Sequence, residues 1–229
     1  MSILNEGVLK QGPSYVVTYL QEKDIKAIMA LQEEVIAALD NKSVLQPLLE
    51  EEFKYILNGK GLLIGAWIGE KLIAFRALLV PPIDEEHLGL DVGIEDLSKV
   101  IYQEISNVHP DYRGNHLQQK LAAILMDELK KDEHSFEYVC STVAPFNFPS
   151  LKDKLSQGME IAALKEKYGG RLRYVFVMEI HRKEAVEWKK SQQVSMKNTA
   201  LQQALLAEGW RGVGMIVDGE NRLIDFRKS

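Results

Sequence analysis

Residues 107–121 read Asn107-Val108-His109-Pro110-Asp111-Tyr112-Arg113-Gly114-Asn115-His116-Leu117-Gln118-Gln119-Lys120-Leu121. The apolar, β-rich run that leads in from Val100 predicts a strand over Val100–Val108, stopped by Pro110. Leu117, Leu121, Ile124, Leu125 and Leu129 recur at helical spacing and predict a helix to about Lys131. Between the two lies a turn that holds Arg113-Gly114. The first turn of a helix carries N–H groups with no intrahelical partner and the positive end of the dipole. A strand, a tight turn and a helix start therefore make a natural pyrophosphate site. Arg113 adds a guanidinium for a charge-assisted contact.

Before this segment, Tyr15–Leu20 predicts a strand. Ile25, Ile28, Met29, Val35, Ile36 and Leu39 predict a helix over 24–39, with Asp24 placed to cap it. Leu45, Leu48, Leu49, Phe53, Ile56 and Leu57 repeat the pattern, and Asn58-Gly59 stops that second helix. Gly61–Ile68 and Lys71–Val80 are apolar strands joined by Gly69-Glu70, a hairpin signal ended by Pro81-Pro82. Residues 81–99 are loop-like, with six acidic residues and one lysine.

After it, Phe136–Val143 predicts a strand. Residues 149–157 predict a short helix stopped by Gly158, and Leu172–Ile180 a strong strand. The strand–helix–strand over residues 100–143 implies a right-handed crossover and parallel pairing. The fold class is α/β, with a mixed, mostly antiparallel sheet and one parallel step. Beyond residue 180, Thr199–Glu208 predicts a helix, and Gly209–Val217 and Arg222–Arg227 two strands around Asp218-Gly219-Glu220-Asn221. This αββ appendage is too small for a core of its own. It is expected to pack on the main body or on a second copy in a homodimer.

Composition sets the limits on function. The chain has 229 residues and a net charge of −5, which argues against general nucleic-acid binding. Residues 181–229 hold 9 basic and 6 acidic groups against 19 and 27 in residues 1–180. A compositional boundary therefore falls near residue 180. No apolar run reaches the ~18 residues of a membrane span, and the N-terminal stretch lacks a signal-peptide core. Cys140, the single cysteine, rules out an intrachain disulfide and a cysteine-built zinc site. Together these favour the cytoplasm, with no membrane and no metal.

Val108, Pro110, Arg113, Gly114, Leu117 and Leu121 are similar to the acyl-CoA signature of the GNAT superfamily of N-acetyltransferases. There a valine-x-proline strand end precedes Arg-Gly-x-Gly-Ile/Leu-Gly-x-x-Leu. His116 and Gln118 replace two usual glycines. The run from Val143-Ala144-Pro145-Phe146-Asn147-Phe148-Pro149-Ser150-Leu151 to Gly158-Met159 resembles the second family signature, an asparagine and a small residue that start a helix ending in Leu-Gly-Phe. The element order over 15–180 matches that fold, which places a GNAT-like domain at 1–180 and the extension at 181–229.

The resemblance implies acetyl-CoA as cosubstrate and a small-molecule or peptide amine as acceptor. It implies that Asn107 and Val108 use backbone groups on the pantetheine arm and thioester. Arg113, Gly114, Asn115, His116, Leu117 and Gln118 would hold the pyrophosphate. Asn147 and Ser150 would meet the pantetheine or the sulfur. Glu104 stands four residues before Val108, on one face with it and Ser106 by strand alternation, where some family members carry a general base. The alternative role for Glu104 is a structural or substrate-orienting carboxylate. Lys154 occupies the place of the family's usual tyrosine acid, either binding phosphate or solvated. Tyr102 and Tyr168 have no assigned position. His109 and His116 are expected on the surface of the turn, and Cys140 as a buried small hydrophobe. The acidic loop 81–99 is either solvated or a rim that attracts a cationic amine. The runner-up function is a CoA-binding regulatory or interaction protein without catalysis.

Overall fold

The computed structural model describes residues 2–10, 12–41, 45–131 and 135–229. They form two compact units, 1–81 with 101–134, and 82–100 with 135–229. The division does not fall at residue 180.

In the first unit the strands are β1 (Ile3–Val8), β2 (Ser14–Tyr19), β3 (Gly61–Ile68), β4 (Lys71–Leu79) and β5 (Val100–Val108). They pair antiparallel in chain order. The helices are α1 (Ile25–Ala37), α2 (Glu50–Tyr55) and, after β5, α4 (Leu117–Leu129). Ile28, Leu31 and Val35 of α1 meet Phe53, Phe75 and Ile105 in one buried cluster. The stripe of α1 is what the helical spacing predicted.

Three local expectations are corrected here. β1 was not expected. Asp24 does not cap α1: it closes a 3-10 turn over Glu22–Asp24, and its carboxylate accepts from the Gln21 N–H at 2.9 Å. The second helix starts at Glu50, because residues 45–49 are non-helical. The Gln32 side chain accepts from the Leu48 N–H at 3.0 Å and donates to its carbonyl at 2.8 Å. Both backbone groups of Leu48 are thereby satisfied without a helix.

The second unit begins with a short helix, α3 (Leu88–Asp91). Then come β6 (Tyr138–Val143), α5 (Phe148–Ser156), β7 (Glu160–Lys167), β8 (Arg171–Glu179), β9 (Lys190–Ser195), α6 (Thr199–Ala207), β10 (Arg211–Asp218) and β11 (Asn221–Lys228). The strand order is β6-β8-β7-β10-β11-β9, antiparallel throughout. β7 and β9 were not expected. β7 is buried over its first five residues, so it lacks the alternation that marks a half-exposed strand.

The C-terminal segment is joined to the rest of this unit through β7. Gly212 of β10 pairs with Ile161. A Cβ on Gly212 would come within 3.0 Å of the Ile161 Cβ, so the close approach needs glycine. Gln202 of α6 is fully buried, accepts from the Tyr174 hydroxyl at 2.7 Å and donates to the Ser195 carbonyl at 3.0 Å.

Candidate functional site

β5 carries the first group of site residues. Its register against β4 runs Asn107 opposite Phe75, Ser106 opposite Arg76 and Ile105 opposite Ala77, then jumps to Gln103 opposite Leu78. Glu104 is the extra residue of a β-bulge and is exposed. The bulge interrupts the alternation of β5 between Ile105 and Gln103. Ser106 and Gln103, three positions apart, now share a face. Asn107 and Ile105 share the other, the face that Phe75 and Ala77 turn to α1.

The turn follows. Residues Pro110–Tyr112 form a 3-10 turn. Gly114 has φ +79, and His116 has φ 58 and ψ 22. His116 thus keeps the left-handed backbone for which the usual signature supplies glycine, at a cost of about 1–2 kcal/mol. Its imidazole is exposed, with Nδ1 3.0 Å from the Gln119 Oε1. Asn115 is a tie of the loop: its Nδ2 donates to the Tyr112 carbonyl at 3.0 Å, and its Oδ1 accepts from the Lys10 N–H at 2.9 Å.

α4 starts without a side-chain cap. Its first intrahelical bond is Lys120 N–H to the His116 carbonyl at 3.0 Å. The N–H groups of Leu117, Gln118 and Gln119 precede that bond. Leu117 is buried and anchors the turn. Arg113 is exposed and has no ion-pair partner among the described residues. An open helix start with an uncommitted guanidinium suits a phosphate.

One residue of this machinery escaped the sequence. Arg76, in the middle of β4, is 1% exposed. It donates through one terminal nitrogen to the Gln103 Oε1 at 2.6 Å and through the other to the Gln118 carbonyl at 3.2 Å. It fixes the first turn of α4 to the sheet. An arginine inside an otherwise apolar strand was the available signal, since such a charge persists in a core only when paired.

His109 is also corrected. It is buried rather than on the surface, with Nε2 2.7 Å from the Glu34 carboxylate and 2.9 Å from the Lys71 Nζ. Its Nδ1 accepts from the Asp111 N–H at 3.2 Å. His109 therefore ties the end of β5 to α1.

The second unit holds Asn147 and Ser150. Asn147 caps α5: its Oδ1 accepts from the Ser150 N–H at 3.2 Å. Lys154 of α5 is buried, which removes the solvated alternative. Tyr168 stands in the turn between β7 and β8 with φ 53, its hydroxyl 3.1 Å from the Thr142 Oγ1. Cys140 is fully buried, and burial pushes its thiol up to about 12, so it is no nucleophile.

The acidic loop is largely committed. Asp91 and Glu86 each lie 3.0 Å from the buried Lys167 Nζ, and Asp96 caps Ser98. Beside it opens a cavity of about 500 Å³. It is bordered by Glu95 and Asp96, and by the ion pairs Lys99–Glu137 and Arg182–Glu179. It lies at the Tyr138 end of β6, whereas Asn147 follows the Val143 end. Among the described residues no cluster of metal ligands occurs, and no helix is long and apolar enough to cross a membrane.

No family model and no curated protein matches the chain. Solved structures do resemble it. The ribosomal-protein-S18-alanine N-acetyltransferase of Escherichia coli superposes with a TM-score of 0.56 at 18% identity, over 76% of this chain and 99% of that one. The yncA protein of Salmonella typhimurium, solved with its cofactor acetyl-CoA, gives 0.53 at 14%, over 76% and 98%. The GNAT domain of the S. lividans protein PAT gives 0.54 at 14%, over 76% and 96%. The fold is therefore that of the GNAT acyltransferases, α/β with a mixed sheet.

Proposed function

We propose that the chain is a cytoplasmic enzyme that transfers the acetyl group of acetyl-CoA to a primary amine of a small molecule or peptide. The observation that carries this reading is the uncapped start of α4 after the Arg113–Gln118 turn, with Arg113 uncommitted beside it. The activity is assigned to residues 1–180, with 181–229 as an extension.

Acetyl-CoA supplies an acyl thioester. The N–H groups of Leu117, Gln118 and Gln119 and the Arg113 guanidinium hold its pyrophosphate. Backbone groups of Asn107 and Val108 orient the pantetheine arm and polarise the carbonyl. The neutral amine attacks the carbonyl carbon directly in a ternary complex. The C–N bond forms, the C–S bond breaks, and CoA leaves. Glu104 takes the amine proton, directly or through water, from its bulged position on β5. Asn147 and Ser150 are assigned to the pantetheine.

Calorimetric titration with acetyl-CoA tests the reading. Arg113→Ala is expected to weaken binding about tenfold; unchanged affinity overturns the cofactor assignment. A thiol-release assay over a panel of amines then tests turnover, and Glu104→Gln is expected to lower it more than it lowers affinity. The second reading, a CoA-binding protein without catalysis, is favoured by Lys154, a buried lysine in the place of the usual tyrosine. Binding without CoA release on any amine would select it.

A further inference from the structure

Along the α1 face of β5 the environment changes in three steps. Ile105 is in the apolar cluster. His109 is bound to Glu34 and Lys71. Between them Asn107, 1% exposed, has no hydrogen-bond partner for either end of its carboxamide. Several other buried side-chain atoms also lack partners, Thr18 Oγ1 and Trp67 Nε1 on the same face included. Among the described residues, Asn107 is the only carboxamide whose nitrogen and oxygen are both orphaned. Burying an amide without compensation is costly. A leucine, with the same number of side-chain heavy atoms, or the smaller valine would occupy the place without that cost. The side chain thus weakens the free protein, which points to a ligand that satisfies it.

The two ends specify that ligand. Nδ2 needs an acceptor and Oδ1 needs a donor, side by side. A thioester carbonyl beside an amine N–H presents that pair. This inference rests on the reading of the chain as an acetyltransferase. We propose that the Asn107 carboxamide positions both reactants. Nδ2–H donates to the thioester carbonyl oxygen, and Oδ1 accepts from the incoming amine. Asn107 takes no proton. It adds a side-chain contact to the backbone role already assigned to this residue.

The test uses Asn107→Leu and the smaller Asn107→Val, with CoA and acetyl-CoA as probes. The ligand-free variants are expected to melt about 2–4 °C above the wild type. Affinity for CoA is expected to stay within about twofold, while affinity for acetyl-CoA falls about fivefold to tenfold. Melting of both variants below the wild type would show a structural amide and overturn the proposal. An unchanged ratio of acetyl-CoA to CoA affinity would overturn it as well. Wild-type protein that binds neither probe would overturn the acetyltransferase reading, and this one with it. Variant failure alone would leave that reading standing.

Discussion

α4 and α5 each follow a strand and a turn, and their starts are built in opposite ways. At α5, Asn147 caps the helix through its own side chain, and Pro149 stands in the first turn. At α4, His116 holds the cap position in a left-handed backbone and caps nothing with its side chain. The first arrangement spends its donors on the protein. The second leaves its first N–H groups without a side-chain cap and holds a non-glycine residue in a strained backbone. Arg76 beneath α4 and Asn115 beside it supply the support that a cap would otherwise give. On the proposed reading, the start of α4 is the one that takes the anion.

The sharpest way to break this contrast is Arg76→Met. It leaves the Gln118 carbonyl and the Gln103 amide without their buried partner. The expected loss is about 2–3 kcal/mol of stability in denaturant unfolding, with weaker acetyl-CoA binding. An unfolding midpoint equal to that of the wild type would show that α4 does not depend on this tie. Asn147→Ala removes the cap of α5 and should cost about 1 kcal/mol. Restoration of stability by Asn147→Asp, which keeps the acceptor, would assign that loss to capping. His116→Gly is the mildest change. It relieves the left-handed strain but adds chain entropy, so stability should change by less than about 1 kcal/mol. Acetyl-CoA affinity should be retained. A tenfold loss would mean that the imidazole itself touches the ligand.

The elements around this contrast were mostly legible. β3, β5 and the starts of α4 and α6 fall where the sequence placed them. What failed has local causes. β7 is buried on both sides at its start, so no alternation announces it. β9 is mostly exposed and rich in Gln and Ser, so nothing apolar marks it. Leu48 and Leu49 kept a helical spacing although Gln32, 16 residues earlier, holds Leu48 out of the helix. The bulge at Glu104 was not legible because a bulge is a property of two strands, and only one of them was being read.

The sequence by itself determined the strand, turn and helix order around Arg113-Gly114, since proline, glycine and apolar spacing act over a few residues. It also marked the residues that bring charge to that turn. Only the tertiary structure decided what those residues are free to do. Asn115 is committed to Lys10 and Tyr112, His109 to Glu34, and Arg113 to no charged group among the described residues. The left-handed backbone at His116 and the orphaned amide of Asn107 became visible only there. Hydrogen-bond satisfaction and burial depend on segments far apart in the chain, and no local pattern encodes them.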